Sequence, residues 1–243
     1  MIRTIIWYTF FWLYQVVSLV LFIPLLVLRL AGMKQREAAL AHYFVRSWAR
    51  QMIGAAGAVV TVRGLSNIPA HGKYCIVANH QGGFDIPLLL GYMPKIAGFI
   101  AKKELKYVPI MSGWMREIHC VFLDRSNRRA ASTAIAQAVE QVQNGHPLII
   151  FPEGTRSRSG RMNTFKPGSL KLPIRAKALI IPVTIDGSYL LKEANGGLMR
   201  PGNVTITVHP SVDATPFSES QTQELAERLS GIIQSGFISP ETK

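Results

Sequence analysis

Apolar and polar positions along the chain fall into two regimes. From Ile5 to Leu28 no charged residue interrupts an apolar run bounded by Arg3 and Arg29. As a helix that run is about 36 Å long, against roughly 30 Å of bilayer hydrocarbon. Trp7, Tyr8, Trp12 and Tyr14 crowd its first half, where amphipathic rings favour the lipid interface, and Pro24 is placed to kink it. The run is long for a cleaved signal peptide and no small-residue cleavage site follows, so it reads as a membrane anchor, spanning or lying in one leaflet. Residues Glu37 to Ile53 then show a helical period, with Leu40, Phe44, Val45, Trp48 and Met52 on one face. A core-packing helix and an interfacial helix fit that pattern equally.

From Val59 onward, short apolar runs alternate with helical patterns, which predicts an α/β fold. Strands are expected at Val59–Arg63, Tyr74–Ala78, Ile96–Ala101, Ile118–Leu123, Pro147–Phe151, Ala178–Ile185 and Val204–His209. The last of these alternates like an exposed strand, and Pro182 assigns its own strand to an edge or a bulge. Helices are expected after Asp85 with Pro87 in the first turn, at Arg128–Gln143 with Asp124 as the default N-cap, at Lys166–Arg175, and from Ser220. The expected organisation is residues 1–57 as N-terminal membrane-anchoring helices and 58–243 as one α/β domain. Its centre is a mixed, largely parallel sheet flanked by helices.

Charge narrows the function classes. Lys and Arg outnumber Asp and Glu by 27 to 14, a formal net charge of +13. Such a field attracts phosphates on nucleic acid, lipid or small substrates. A hydrophobic share of 48% and basic residues without aromatic interleaving favour membrane over nucleic acid. If the first helix spans, Arg29, Lys34, Arg36, Arg46 and Arg50 place the following domain on the cytoplasmic side. Cys75 and Cys120 lie in apolar runs without metal spacing and read as reduced, buried thiols.

Two stretches carry candidate chemistry. Asn79-His80-Gln81-Gly82-Gly83-Phe84-Asp85 joins the end of a strand to the start of a helix. Across such a loop a carboxylate can fold back on the imidazole, fix its tautomer and leave the other ring nitrogen as a base. A histidine beside a helix-capping Asp gives the same letters. The second stretch, Pro152-Glu153-Gly154-Thr155-Arg156-Ser157-Arg158, also leaves a buried strand. From Gly154 to Ile185 it holds no acidic residue, while Arg156, Arg158, Arg161, Lys166, Lys171, Arg175 and Lys177 supply positive charge. Guanidinium forks suit phosphate oxygens, whereas a solvated basic loop needs no ligand. Glu153 is expected to be ionised, paired with a nearby Arg, and to shape the loop. Arg125 follows a third strand end. No nucleophile elbow, Walker loop, dinucleotide fingerprint or metal-ligand spacing occurs.

These blocks resemble the four signatures of the glycerophospholipid acyltransferases, in family order. Asn79-His80-(four residues)-Asp85 is similar to the first and Val121-Phe122-Leu123-Asp124-Arg125 to the second. Phe151-Pro152-Glu153-Gly154-Thr155-Arg156 resembles the third and Ile180-Ile181-Pro182-Val183-Thr184 the fourth. The third block, with Phe165-Lys166-Pro167-Gly168 after it, looks most like the branch acting on 1-acyl-sn-glycerol 3-phosphate, although Gly82 stands where that branch often has Ser.

The resemblance implies acyl transfer from acyl-CoA or acyl-carrier protein to the sn-2 hydroxyl of lysophosphatidic acid, with no cofactor or metal. His80 is then the general base and Asp85 its orienter. Arg156 binds the phosphate, with Glu153, Gly154 and Thr155 shaping its loop and Arg125 assisting. Backbone N–H groups around Gly82–Gly83 or Gly154 are candidate oxyanion donors. The lipid bilayer is the expected partner, and nucleic acid is not. Transfer to glycerol 3-phosphate or another lysophospholipid is the sibling reading. Outside enzymes, a non-catalytic module binding anionic membrane accounts for the charge but leaves the His–Asp pair without a role.

Overall fold

The structure is a computed structural model that describes residues 1–124 and 126–237, and of Arg128 the backbone alone. The apolar N-terminus forms α1 (Ile2–Ser18), a 3-10 turn at Leu19–Leu21 and α2 (Phe22–Leu30). The turn lies just upstream of Pro24, which has no N–H to return to the carbonyl of Val20 and crowds it with its ring. Among the described residues this is the one segment long and apolar enough to cross a membrane. Its outward side is a row of exposed apolar residues that includes Ile5, Ile6, Leu13, Val16, Val17, Val20 and Ile23.

Its inward side packs on α3 (Lys34–Ala56), where Trp7 Nε1 donates to the carbonyl of Met52 at 2.9 Å. Ala41, Val45, Ala49, Met52, Ile53 and Ala56 of α3 are buried. Arg46 and Arg50, off that stripe, donate to the carbonyls of Met93, Pro94 and Gly91. α3 is therefore a core-packing helix, and this decides between the two readings of its amphipathic pattern.

The strands are β1 (Ala58–Arg63), β2 (Tyr74–Ala78), β3 (Gly98–Lys102), β4 (Val121–Leu123), β5 (Leu148–Ile150), β6 (Leu179–Asp186), β7 (Gly202–Val208) and β8 (Val212–Asp213). Among the described residues they form one sheet in the order β1-β7-β6-β2-β5-β3-β4, with β8 also on β6. All pairings are parallel except β6–β7 and β6–β8. Alternate residues of β2 enter two cores. Tyr74, Ile76 and Ala78 meet α3, α4 (Asp85–Tyr92) and α5 (Met111–Glu117) on one face. Cys75 and Val77 meet α6 (Arg128–Gln143), α7 (Lys171–Ala176) and α8 (Thr222–Gln234) on the other. Leu25 of α2 and Val45 and Ile53 of α3 belong to the first core together with Ile149 and Ile185 of the sheet. Both cysteines are free and buried, and burial pushes their thiols up.

Four expectations need correction. Pro182 lies in an interior strand, which overturns the edge alternative of the expected edge or bulge. Its carbonyl accepts the N–H of His209, and in an extended strand a residue's N–H points the same way as its C=O. The missing donor thus falls in the gap between the residues of β6 that pair with β8 (Leu179, Ile180) and those that pair with β7 (from Val183). β7 is likewise interior, between β1 and β6, with Val204, Ile206 and Val208 buried. The strand at Ile118–Leu123 shrinks to Val121–Leu123, because Ile118 closes α5 and His119 takes a positive φ of 61°. Asn127, not Asp124, caps α6 by accepting the N–H of Ala130.

Candidate active site

Because β2, β3, β4, β5 and β6 run in parallel, their carboxyl ends open on one edge, where α/β sheets bind ligands. β2 delivers His80 there, β5 delivers Glu153 and β6 delivers Ser188. His80 Nδ1 lies 2.7 Å from Asp85 Oδ2, and that oxygen also accepts the N–H of Gly82 at 2.9 Å. The hydroxyl of Ser188 donates to Oδ1. Asp85 is fully buried, whereas the His80 side chain is 15% exposed and stacks on Phe151 with ring centroids 4.1 Å apart. An ionised Asp85 accepts from Nδ1–H and leaves Nε2 as the basic nitrogen.

The loop around this pair is fastened to its neighbours. The Asn79 carboxamide bonds both main-chain groups of Ile185, at 2.8 and 2.7 Å, and so extends the β2–β6 ladder by a side chain. Gln81 Oε1 accepts the N–H groups of Gly187 and Ser188. The arginine loop closes over the histidine loop, with Ser157 N–H on the carbonyl of His80 and Arg158 N–H on that of Gln81. At its start Gly154 has φ 72°, which lets the chain reverse after β5.

Glu153 is placed differently from expectation. Among the described residues it has no arginine partner. It accepts the backbone N–H of His80 at 2.6 Å and that of Asn163 at 2.8 Å, and is 1% exposed. Burial pushes its carboxyl up, while the two N–H groups pull it back toward the ionised form. Arg156 and Thr155 are exposed on the loop, and Arg156 Nη1 lies 3.8 Å from Oε1 of Glu193. The candidate oxyanion donors are engaged elsewhere. Gly82 N–H is held by Asp85, Gly83 N–H by Glu193 at 2.8 Å and Gly154 N–H by the carbonyl of Phe151. None of the three is free for an oxyanion in this arrangement. Arg125 lies outside the described residues. Beside it, the Ser126 hydroxyl and the Lys103 ammonium hold Asp124 down at about 2.

A cavity of about 320 Å³ opens beside Gly83. Its wall is nearly all apolar and includes Trp7 and Phe11 of α1, Trp48 of α3, Leu90 of α4, and Trp114, Met115 and Ile118 around α5. Gly83 stands at the carboxyl edge of the sheet and Ile118 near its amino edge, so the cavity runs along the sheet away from His80. Ser188, Glu193 and the aromatic wall escaped sequence reading, since no local motif marks them. Among the described residues no cluster of His, Cys, Asp and Glu could hold a metal.

Comparison with known proteins places this geometry in a lineage. The family model described as Acyltransferase matches residues 59–186. The 1-acyl-sn-glycerol-3-phosphate acyltransferase of Borreliella burgdorferi is 31% identical over 76% of this chain and 74% of its own length. A Chlamydomonas reinhardtii protein of the same name is 32% identical over 87% of this chain and 66% of its own length. The crystal structure of the 1-acyl-sn-glycerophosphate (LPA) acyltransferase PlsC from Thermotoga maritima superposes with a TM-score of 0.86. It is 29% identical and covers 97% of this chain and 93% of its own. The matched segment runs from β1 to the last residue of β6 and takes in the His80 and Glu153 loops, and on that footing this chain belongs to the acyltransferase family of enzymes.

Proposed function

We propose that this enzyme transfers an acyl chain from an acyl thioester to the sn-2 hydroxyl of lysophosphatidate, giving phosphatidate. The observation that carries the reading is the His80–Asp85 pair at 2.7 Å beside an apolar cavity. The names of its relatives point to the same acceptor.

In this mechanism Nε2 of His80 takes the proton from the sn-2 hydroxyl as that oxygen attacks the thioester carbonyl. Asp85 holds the ring and stabilises the imidazolium. The tetrahedral intermediate collapses, the C–S bond breaks, and the imidazolium returns its proton to the departing thiolate. Without a nucleophile elbow the acyl group passes directly, and no cofactor or metal is required. Arg156 binds the acceptor's phosphate, on a loop shaped by Glu153, Gly154 and Thr155, with Arg125 assisting. The cavity takes the acyl chain, where each buried methylene contributes about 0.8 kcal/mol. Residues 1–57 seat the enzyme in the bilayer through the outward side of α1 and α2, with the α/β domain on the cytoplasmic side.

The test is purified enzyme in detergent with lysophosphatidate and either acyl-CoA or acyl-carrier protein, product being followed by lipid mass analysis. Phosphatidate is expected from wild type, and a loss of about 10²–10⁴-fold from His80→Ala. Near-wild-type turnover by His80→Ala would sink the mechanism. Equal use of acceptors lacking a phosphate monoester would sink the acceptor assignment.

A further inference from the structure

The Glu193 carboxylate sits in the active-site cleft without being part of any sequence motif. It follows Lys192, whose backbone (φ −151°, ψ −55°) is irregular, and opens a 3-10 turn that ends at Asn195. Its side chain is only 8% exposed. Oε1 accepts the N–H of Gly83 at 2.8 Å and faces Nη1 of Arg156 at 3.8 Å. Oε2 is buried, and among the described residues it has no hydrogen-bond partner. An ionised carboxylate has about four lone-pair sites, and most of these go unused here.

The steric fit is equally specific. A Cβ built on Gly82 would stand 2.6 Å from Oε2 of Glu193, so the carboxylate lies where a side chain at position 82 would be. Gly82 has no positive φ, so its backbone itself would accept a side chain. Its bareness makes room for Glu193.

We infer that Glu193 is a built-in anion that occupies the acceptor's phosphate subsite, against Gly83 N–H and Arg156, and must withdraw before a phosphate monoester binds. This rests on the proposed acceptor. A phosphate brings more oxygens and more charge to the same donors and matches a guanidinium better than a distant carboxylate does. The proposed withdrawal hinges just beyond the turn. Gly196 and Gly197 follow Glu193 with φ of 60° and 90° and open space around them. On the other side Lys192 Nζ is tied to the hydroxyl of Tyr8 on α1, which joins the turn to the lipid-facing helix. A carboxylate that holds the subsite nine-tenths of the time weakens phosphate binding about tenfold.

Equilibrium dialysis of radiolabelled inorganic phosphate against the full-length protein in detergent tests this without turnover. Glu193→Ala should bind phosphate about tenfold more tightly than wild type, and its KM for lysophosphatidate should fall in parallel. Gly82→Ser, which evicts the carboxylate while keeping its charge, should shift both in the same direction and serves if Glu193→Ala does not fold. Unchanged or weaker phosphate binding in the variants overturns the inference and makes Glu193 a brace for Arg156. Tighter phosphate binding with an unchanged KM overturns the assignment to the acceptor headgroup. Wild type inactive toward lysophosphatidate defeats the proposed function instead, while the dialysis still reads the subsite.

Discussion

His80 and Glu153 are joined main chain to side chain: the backbone N–H of His80 donates to Glu153 Oε1 at 2.6 Å, and Oε2 takes the N–H of Asn163. The glutamate therefore fixes the position of the histidine through the backbone and of the arginine loop at the same time. Glu153→Ala leaves two N–H groups without acceptors, at about 1–3 kcal/mol each where they stay buried. Denaturant unfolding should show that loss together with a fall in kcat. Unchanged stability would contradict the assigned geometry.

In the proposed mechanism Ser188 bears on the reaction through Asp85, to whose Oδ1 it donates. A hydrogen bond to a charged group contributes about 1.5–3 kcal/mol, so Ser188→Ala should lower kcat roughly tenfold or more. KM should stay within about twofold, because the hydroxyl is a positioning group. Ser188→Thr, which keeps the hydroxyl, should recover most of the rate. A change in KM alone would show that Ser188 does something else.

At the amino edge of the sheet, away from the active site, His119 and His146 lie ring to ring with centroids 3.9 Å apart. Burial holds both, and His42 on α3, below the ordinary imidazole range. Arg46 and Lys95 push His42 further down and Lys95 does the same to His146, while Glu117 pulls His119 upward. A base whose folded pKa is depressed binds protons more readily unfolded. Stability is thus complete above about pH 6.5 and drains away as pH falls through that value toward the folded pKa values. Melting temperatures across this range should fall on acidification, and His146→Gln should flatten the slope. An unaltered slope would remove the cluster from the account.

Ile118 lies far along the cavity from Gly83. Ile118→Phe should shift the accepted acyl chains to shorter lengths, read by mass analysis of products from a mixed thioester pool. Overpacking there costs about 1–3 kcal/mol. An unshifted chain profile with normal folding would place the acyl chain elsewhere.

What the sequence disclosed follows from distance along the chain. His80 and Asp85 share one loop, so their partnership was readable from spacing, as was the delivery of each loop by an apolar strand. Ser188 is 103 residues from Asp85, and Glu193 is 110 from Gly83. Only the β2–β6 pairing brings the first of these into reach, and no local pattern encodes it. The same limit explains Glu153, where nearby arginines suggested an ion pair and burial instead selected two backbone donors. Gly82 and Gly83 looked like free donors because the sequence does not show that Asp85 and Glu193 already use them. Pro182 misled because a strand that changes neighbours midway can be interior and still have a gap for a missing N–H.

Trp7, anchored to the carbonyl of Met52, makes α1 part of the enclosure and not merely a tether. One side of that helix is a row of exposed apolar residues and the other lines the cavity. With that exposed side seated in a bilayer as proposed, a fatty chain can pass to the catalytic edge by moving around a single helix, without being solvated by water on the way. The N-terminal helix is thus a structural part of the cavity, and cutting it away would leave the cavity without one side.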